Sequence, residues 1–317
     1  MALISVIMPC YNTGKIIFDT LESLEMQSFQ DFELICINDG STDNTLDLLY
    51  QYKQNSKLDI TIFDQENSGV SKTRNNGIEF CNGEFIVFVD SDDILNKDFL
   101  KSLISVQNKT NTDTVYCEYN RDLGVVTNID WNSKYEVVDS HTAMSHLMHK
   151  MGVISFCCYL YKRSIIESER IRFDKNTKHF EDREFNWKYL CNCRSFAYIN
   201  TPLYGYRNTL LSASNSCVWR TDSLEAVIRI ENYLLEKKCS FYKQFKEFMF
   251  DRVLWGIAKK YAAGGRKDYF MRLRNEYDVT KCMYSQTKNR SLIVRLLSYS
   301  YLISPSLFYI IIKILSR

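Results

Sequence analysis

A cluster of acidic residues, Asp90-Ser91-Asp92-Asp93, directly follows the apolar run Phe85–Val89. A divalent cation that bridges a diphosphate needs one or two carboxylates from a rigid strand end, and water and phosphate oxygens complete its coordination. An Asp-x-Asp after a buried strand offers that arrangement, whereas three acids in a turn can also be merely solvated. A cation held there would stabilise the charge that develops on a diphosphate leaving group.

A calcium loop of the EF-hand type does not fit this cluster. Such a loop needs an acid or Asn at its fifth position, Gly at its sixth and Glu at its twelfth. Ile94, Leu95 and Lys101 occupy those positions. The cluster therefore indicates a site for Mg²⁺ or Mn²⁺ rather than for calcium.

The elements that would position this cluster alternate between apolar β-branched runs and helical patterns. This rhythm is typical of a parallel sheet, and unalternating apolar runs predict central strands that helices cover on both faces. The predicted elements are Ile4–Cys10, Gly14–Met26, Phe32–Asn38, Thr42–Tyr52, Ile60–Phe63, Val70–Phe80 and Phe85–Val89.

Ligands of open α/β sheets bind beyond the carboxyl ends of the strands. Three predicted strands end in polar residues, namely Pro9-Cys10-Tyr11-Asn12, Asp39-Gly40-Ser41 and Asp90-Ser91-Asp92-Asp93. These side chains are therefore expected to converge on one crevice.

Patterns are weaker between residues 102 and 150, where only Thr114–Tyr119 and Tyr135–Val138 read as strands. A strand over Ile154–Tyr161 and a helix over Arg183–Cys191 follow, and Leu203–Arg207 is extended. Helical spacing dominates after Asp222.

Residues 291–317 form a distinct segment, predicted as one amphipathic helix. The 17 residues 296–312 carry no charge, and basic residues flank them. Crossing a bilayer takes about 20 apolar residues, so this interrupted run fits a helix that lies in the inner leaflet of a membrane. A helix packed on the protein or at a subunit contact is the alternative.

Composition excludes other classes of partner. With 40 basic and 38 acidic residues, the charge gives no general attraction to nucleic acid. The eleven cysteines form no CxxC pair, and the start of the chain does not resemble a secretory signal. A cytoplasmic location is therefore expected, with peripheral attachment to the cytoplasmic face of the membrane.

The motifs occur together and in order, which makes the series far more specific than any one of them. The series comprises Ser5-Val6-Ile7-Met8-Pro9-Cys10-Tyr11-Asn12, Asn38-Asp39-Gly40-Ser41-Thr42-Asp43, Asn67-Ser68-Gly69-Val70-Ser71, Arg74-Asn75, Asp90-Ser91-Asp92-Asp93 and Glu181-Asp182. With these motifs in this order, the chain resembles bacterial family 2 glycosyltransferases of the GT-A fold over about residues 3 to 215.

The resemblance implies an α/β fold with a Rossmann-like mixed sheet of GT-A type flanked by helices and followed by a helical extension. Residues 1–215 would form the transferase domain, with a nucleotide-binding half (1–100) and an acceptor-binding half (101–215). Residues 216–290 would be the helical extension, and 291–317 the amphipathic segment.

The resemblance also implies an inverting reaction that uses a UDP-sugar and a metal. Asp92 would be the main ligand of Mg²⁺ or Mn²⁺, with Asp90 at the metal or ribose and Asp93 in support. Asp182 would be the general base, with Glu181 orienting the acceptor or the base. The nucleotide would contact Pro9, Tyr11, Asn12, Asp39, Arg74, Asp90 and Ser91.

Arg207 and Ser212 lie in a stretch similar to one that approaches the diphosphate in the family. This chain departs from the family pattern at Thr209 and Leu211, which puts those contacts in doubt. His179 is a further candidate phosphate or metal contact, although a surface or loop histidine is the simpler interpretation. Cys157 and Tyr159 stand where the family often has Trp and Lys, so acceptor contacts are expected to differ.

Other functional classes fit the sequence less well. A nucleotidyltransferase would display a Gly-rich basic loop after the first strand, and Cys10-Tyr11-Asn12-Thr13-Gly14-Lys15 has a single Gly. An inactive sugar-nucleotide-binding module would be expected to have lost its carboxylates. The expected partners are a UDP-sugar, a saccharide or lipid-linked saccharide acceptor and the membrane surface; the donor sugar, the acceptor and the oligomeric state stay open.

Overall fold

The structure is a computed structural model, and it describes residues 2–132, 134–150, 153–208, 221–289 and 291–316. The chain divides into two compact units, Met1–Asn208 and Thr209–Arg317. The boundary predicted between residues 215 and 216 lies in 209–220, outside the described residues.

The first unit contains all the strands of the described chain. The strands are β1 (Ile4–Cys10), β2 (Phe32–Asp39), β3 (Asp59–Gln65), β4 (Phe85–Phe88), β5 (Ile94–Leu95), β6 (Thr114–Asn120), β7 (Glu136–Val138), β8 (Tyr159–Lys162) and β9 (Phe196–Gly205). The helices are α1 (Ile17–Glu25), α2 (Thr45–Asn55), α3 (Val70–Phe80), α4 (Phe99–Thr110), α5 (Leu123–Asn128), α6 (Ser140–His149), α7 (Arg163–Ser168) and α8 (Glu181–Asn192).

These strands form one mixed sheet in the order β3-β2-β1-β4-β8-β6-β9-β5, with β7 paired to β9. Strands β1 to β4 are parallel to one another, whereas β8 is antiparallel to both β4 and β6. Strand β9 is parallel to β6. The carboxyl ends of β1, β2 and β4 therefore lie side by side, as the sequence predicts.

The apolar runs of β1, β2 and β4 are almost completely buried, which confirms them as central strands. Helix α3 packs closely on this part of the sheet because residue 77 is Gly. A Cβ atom there would lie 2.3 Å from Cγ2 of Ile7. The close approach brings the start of α3 to the carboxyl ends of the strands.

Three regions differ from the sequence-based expectation. The strand predicted over Ile154–Tyr161 is shorter and spans Tyr159–Lys162, because Phe156–Cys158 forms a buried 3₁₀ turn. Strand β9 begins before Pro202, which is accommodated where the pairing with β6 shifts register. Helices α4, α5 and α6 fall largely in the region where the sequence shows only short strand-like pieces.

The second unit is helical where it is described. Its helices are α9 (Asp222–Glu236), α10 (Tyr242–Ala263), α11 (Lys267–Glu276), α12 (Val279–Gln286), α13 (Leu292–Ile303) and α14 (Pro305–Leu315). Where one helix is predicted over 291–317, two occur, because Pro305 cannot donate a helical hydrogen bond and begins a new helix. Among the described residues no helix is both long and apolar enough to cross a membrane.

Candidate active site

The loops that follow β1, β2 and β4 are hydrogen-bonded to one another at the edge of the sheet. The backbone N–H of Asn12 donates to Oγ of Ser41 at 3.0 Å, and its side-chain Oδ1 accepts from the backbone N–H of Thr42 at 2.8 Å. The Oγ1 of Thr13 lies 2.9 Å from Oγ of Ser91. Asn12 and Ser91, both predicted nucleotide contacts, thus join the three strand ends into one surface.

Asp39 holds the segment that leads into α3. Its Oδ1 accepts from the backbone N–H and the hydroxyl of Ser68 and from Nε2 of Gln65, and its Oδ2 accepts from the backbone N–H of Gly69 at 2.9 Å. Oδ2 therefore keeps capacity for one more donor. Gly40 allows the close approach, because a Cβ there would lie 2.6 Å from the backbone N of Asn67.

The carboxylates of the Asp90–Asp93 cluster have different environments. Both oxygens of the buried Asp93 are engaged: Oδ2 accepts from the Tyr204 hydroxyl at 2.6 Å, and Oδ1 accepts from the backbone N–H of Arg207 at 2.8 Å. The carboxylate of Asp92 pairs with no other residue in the part of the chain that is described. Asp93 therefore maintains the loop, and Asp92 is available to a ligand.

Burial raises the pKa of Asp92 to about 6, and the neighbouring charge of Asp90 adds to the rise. Burial also raises the pKa of Asp93, again with a contribution from Asp90. A cluster of carboxylates that repel one another in a partly buried loop favours the binding of a cation.

The carboxylates of Asp90 and Asp92 offer only part of the coordination that a divalent cation needs. Asp92 is uncommitted, and Asp90 uses only Oδ1 towards the protein, where it accepts from Arg74. Within the described ranges no group of three or more His, Cys, Asp or Glu side chains could hold a metal. Two carboxylates suit a cation that takes its other ligands from water and a diphosphate.

Arg74 connects the two acidic clusters. Its Nη2 donates to Oδ1 of Asp90 at 2.9 Å, and its Nη1 donates to Oε1 of Glu181 at 3.2 Å. The guanidinium group is buried and lies 4.2 Å from the ring centroid of Phe156 and 5.4 Å from that of Phe173. Burial acts to lower the pKa of Arg74, but the charges of Asp90 and Glu181 outweigh it and raise that pKa.

Arg74 is thus engaged by two carboxylates of the protein, and its contact with the nucleotide stays a prediction. Its two ion pairs hold Asp90 next to Glu181, and the pair of Arg74 with Glu181 joins residues 107 positions apart in sequence. The neighbouring Asn75 reinforces this link, because its side chain donates to the carbonyl of Phe173 and accepts from the backbone N–H of the same residue. Helix α3 thus positions the segment that leads to Glu181.

Glu181 and Asp182 open helix α8, where the helix dipole favours negative charge. Phe180, the residue before them, has φ 81°, a conformation that is unusual for a bulky side chain. Burial raises the pKa of Glu181 to about 7, the charge of Asp182 adds to the rise, and Arg74 opposes it. Two adjacent carboxylates with different partners result: Glu181 pairs with Arg74, and Asp182 is bonded to the backbone N–H of Arg183.

The remaining predicted residues are placed as follows. Tyr11 is 52 % exposed beside the strand end, and Pro9 lies within β1. Arg207 donates from Nε to the carbonyl of Asp92 at 2.9 Å and from Nη2 to Asp19 at 2.7 Å, so its guanidinium lies beside the acidic loop. Ser212 lies outside the described residues. His179 is half-buried in the segment before α8.

Sequence reasoning gave no role to several residues that form this site. Thr20 donates to the carbonyls of Ser91 and Asp93, and the Tyr204 hydroxyl accepts from the backbone N–H of Asp90. Phe156 supports Arg74. No local pattern marks these residues, because each acts through partners distant in sequence.

The two ion pairs of Arg74 predict that replacing this residue lowers the stability of the protein. A lysine has a point charge and cannot span both carboxylates, so Arg74→Lys should lower the free energy of unfolding by about 2 kcal/mol. Urea denaturation monitored by circular dichroism measures the change. Arg172→Lys, in a partly exposed pair with Glu167, is the control and should cost less than about 1 kcal/mol. Equal losses would show that the buried bridge contributes no more than a surface pair.

Comparison with known proteins agrees with the fold. The family model described as glycosyl transferase family 2 matches residues 5–169. EpsH of Bacillus subtilis (strain 168), a protein assigned as a glycosyltransferase, is 35 % identical to this chain over 217 residues. The alignment covers 66 % of this chain and 62 % of EpsH, so the chain spans less than two thirds of the length of that relative.

Solved structures share the architecture. S. aureus TarS 1–349, in complex with UDP-GlcNAc, superposes with a TM-score of 0.67 at 21 % identity and covers 98 % of this chain and 90 % of that one. The mannosyltransferase PcManGT from Pyrobaculum calidifontis, in complex with GDP-Man and Mn²⁺, gives a TM-score of 0.55 at 14 % identity, over 99 % and 86 % of the two chains. At these identities the likeness shows the fold, which is of GT-A type with added helices.

Proposed function

Because the chain belongs to glycosyl transferase family 2, we propose that it is an inverting glycosyltransferase that moves a sugar from a UDP-sugar to an acceptor hydroxyl. One observation carries the proposal: Asp90, two residues before the uncommitted Asp92, is linked to Glu181 of the Glu181-Asp182 pair by the buried guanidinium of Arg74. Arg74 thereby holds the proposed diphosphate site and the proposed base at fixed positions relative to each other. The family match ends at residue 169, so the role of Asp182 rests on this geometry and on the sequence motif.

In the proposed reaction the acceptor oxygen attacks the anomeric carbon of the donor from the face opposite the diphosphate. The bond between the anomeric carbon and the phosphate oxygen breaks, and UDP leaves with the bonding electrons. Asp182 takes the proton of the attacking hydroxyl. Because the new bond forms on the face opposite the one that breaks, this single displacement inverts the configuration at the anomeric carbon without an enzyme-bound sugar. Glu181, held by Arg74, positions the acceptor or Asp182.

Asp92, with Asp90, would hold Mg²⁺ or Mn²⁺. When bound, the cation would neutralise charge on the diphosphate leaving group. The chain itself contributes the fixed loop, because Asp93 accepts from the Tyr204 hydroxyl and from the backbone N–H of Arg207. Arg207, whose guanidinium donates to the carbonyl of Asp92, would contact the diphosphate. At the other end of the nucleotide, Oδ2 of Asp39 could accept from an imide N–H of uracil.

UDP as the nucleotide is supported by the complex of the similarly folded TarS with UDP-GlcNAc. The relatives are bacterial, and we propose that the acceptor is a saccharide or lipid-linked saccharide in capsule, lipopolysaccharide or exopolysaccharide synthesis. Such acceptors are extended at the cytoplasmic face of the membrane, where the proposal places the protein.

Nucleotide release tests the proposal directly. The purified full chain is incubated with UDP-, GDP-, TDP- and CMP-sugars, with Mn²⁺, Mg²⁺ or EDTA, and free nucleotide is measured with and without saccharide acceptors. We expect release from a UDP-sugar that EDTA abolishes and excess Mn²⁺ restores. Release that EDTA does not change would contradict the metal site, and release from a GDP-sugar alone would contradict the donor.

A sugar-nucleotide-binding module without activity gives a different result. Such a protein would bind UDP in calorimetric titration and release no nucleotide under any condition. The anomeric configuration of the product, read by nuclear magnetic resonance, decides between inversion and retention.

A further inference from the structure

Helices α13 and α14 each bury one side in the apolar core of the second unit. Leu297 and Tyr301 of α13, and Phe308 and Ile312 of α14, are at most 6 % exposed within that core. These positions recur every four residues, as on one side of a helix. This buried side accounts for the packing of the two helices within the second unit.

The outer side of the same two helices is also apolar. The outer face consists of large apolar side chains, each at least 36 % exposed: Leu292, Ile293, Leu296, Tyr299, Leu302, Ile303, Leu307, Ile310, Ile314 and Leu315. A surface helix of a water-soluble protein ordinarily carries polar residues opposite its buried stripe. Contiguous exposed apolar surface of this kind marks a place of interaction.

The charges around the outer face are of one sign. Residues 279–317 contain six basic residues and no Asp or Glu. Lys288 precedes α13, Arg295 lies in its first turn and Lys313 lies in the last turn of α14, and all three are exposed. A second copy of this face would bring like charges together, whereas an anionic surface would complement them.

The dimensions of the helices favour a position on a bilayer rather than across it. Helix α13 has 12 residues and α14 has 11, with Ser304 between them in an extended conformation. At 1.5 Å per residue each is less than about 20 Å long, against a hydrocarbon thickness of about 30 Å. Two short helices of this kind can lie in the interface with the apolar side chains in the lipid.

We propose that the outer face of α13 and α14 docks on a bilayer of anionic phospholipid, with the ten apolar side chains entering the interface and Lys288, Arg295 and Lys313 meeting the head groups. This inference identifies the residues that contact the membrane, and it does not depend on the transferase reaction.

Vesicle co-sedimentation of the full chain tests the docking. The vesicles contain either phosphatidylcholine alone or three parts phosphatidylcholine to one part phosphatidylglycerol. We expect binding to the mixed vesicles at least about tenfold tighter than to phosphatidylcholine alone, and weaker binding at high salt. Equal binding to the two vesicle types would overturn the anionic part of the proposal.

A triple variant, Leu296→Glu, Ile303→Glu and Ile310→Glu, places acids on the outer face and should weaken binding by about 100-fold. The matched control replaces three other exposed apolar residues of the same unit, Ile228, Leu235 and Met271, with Glu and should bind like the unchanged chain. Circular dichroism checks folding of each variant. If the triple variant fails to fold, the milder Arg295→Gln and Lys313→Gln double variant should still lose about tenfold in affinity for the mixed vesicles.

Each remaining outcome is decisive. If both sets of Glu substitutions weaken binding equally, or neither does, the outer face is not the docking surface. If the chain does not bind vesicles but sediments as a dimer, and only the triple variant is monomeric, the outer face joins two copies of the chain instead. Nucleotide release measured on the same samples reports on the site in the first unit, so failure of docking and failure of the proposed reaction are distinguishable.

Discussion

Asp182→Asn should lower the rate of acceptor-dependent UDP release by about 10²- to 10⁴-fold, the range that a positioned general base contributes. The amide is nearly the same size as the carboxylate and retains an oxygen for the backbone N–H of Arg183, so the start of α8 should keep its structure. It cannot take a proton from the acceptor. Affinity for UDP in the presence of Mn²⁺, measured by calorimetry, should change by no more than a few fold.

Glu181→Gln is the matched control for that result. The amide oxygen can still accept from Nη1 of Arg74, but the negative charge is lost. We expect a smaller loss of turnover than for Asp182→Asn, because Glu181 acts by positioning. If Glu181→Gln were the more damaging change, Glu181, whose pKa is raised to about 7, would be the base instead. A large loss of UDP affinity in Asp182→Asn would move Asp182 to the nucleotide site.

Asp92→Asn should lower kcat/KM by about 100-fold or more and raise the Mn²⁺ concentration needed for half-maximal activity. The Lewis-acid contribution of a bound cation is worth several kcal/mol, and each ~1.4 kcal/mol corresponds to a factor of ten in rate. Asp92 is the carboxylate of the cluster that the protein leaves uncommitted within the described residues. A titration of nucleotide release with Mn²⁺ measures both quantities.

Asp93→Asn provides the opposite pattern one residue away. Asp93 accepts from the Tyr204 hydroxyl and from the backbone N–H of Arg207, and it is buried. Its replacement should lower the free energy of unfolding by about 1–3 kcal/mol, because one buried hydrogen bond is lost, and leave the Mn²⁺ requirement nearly unchanged. If Asp93→Asn rather than Asp92→Asn altered the Mn²⁺ requirement, the assignment of the two residues would be reversed.

The sequence by itself was enough to predict the strands and helices of the first hundred residues. The apolar runs of β1 and β4 identify themselves because strands covered by helices on both faces carry apolar residues without alternation. Parallel pairing then forces the carboxyl ends of β1, β2 and β4 together, so the convergence of Asn12, Asp39 and Asp90 follows from local pattern and topology alone. Beyond residue 100 the strands are short and antiparallel pairs intervene, and local pattern no longer orders them.

Only the tertiary structure shows which protein groups engage each acidic residue. The resemblance assigns Asp92 to the metal and Asp93 to a supporting role. The structure adds that the Tyr204 hydroxyl and the backbone N–H of Arg207 donate to the carboxylate of Asp93, whereas neither donates to the carboxylate of Asp92. Likewise, only the tertiary structure shows the ion pair of Arg74 with Glu181 and the exposure of the apolar outer face of α13 and α14. Each of these features depends on whether packing brings distant parts of the described chain into contact. Composition and periodicity report only on neighbours along the chain.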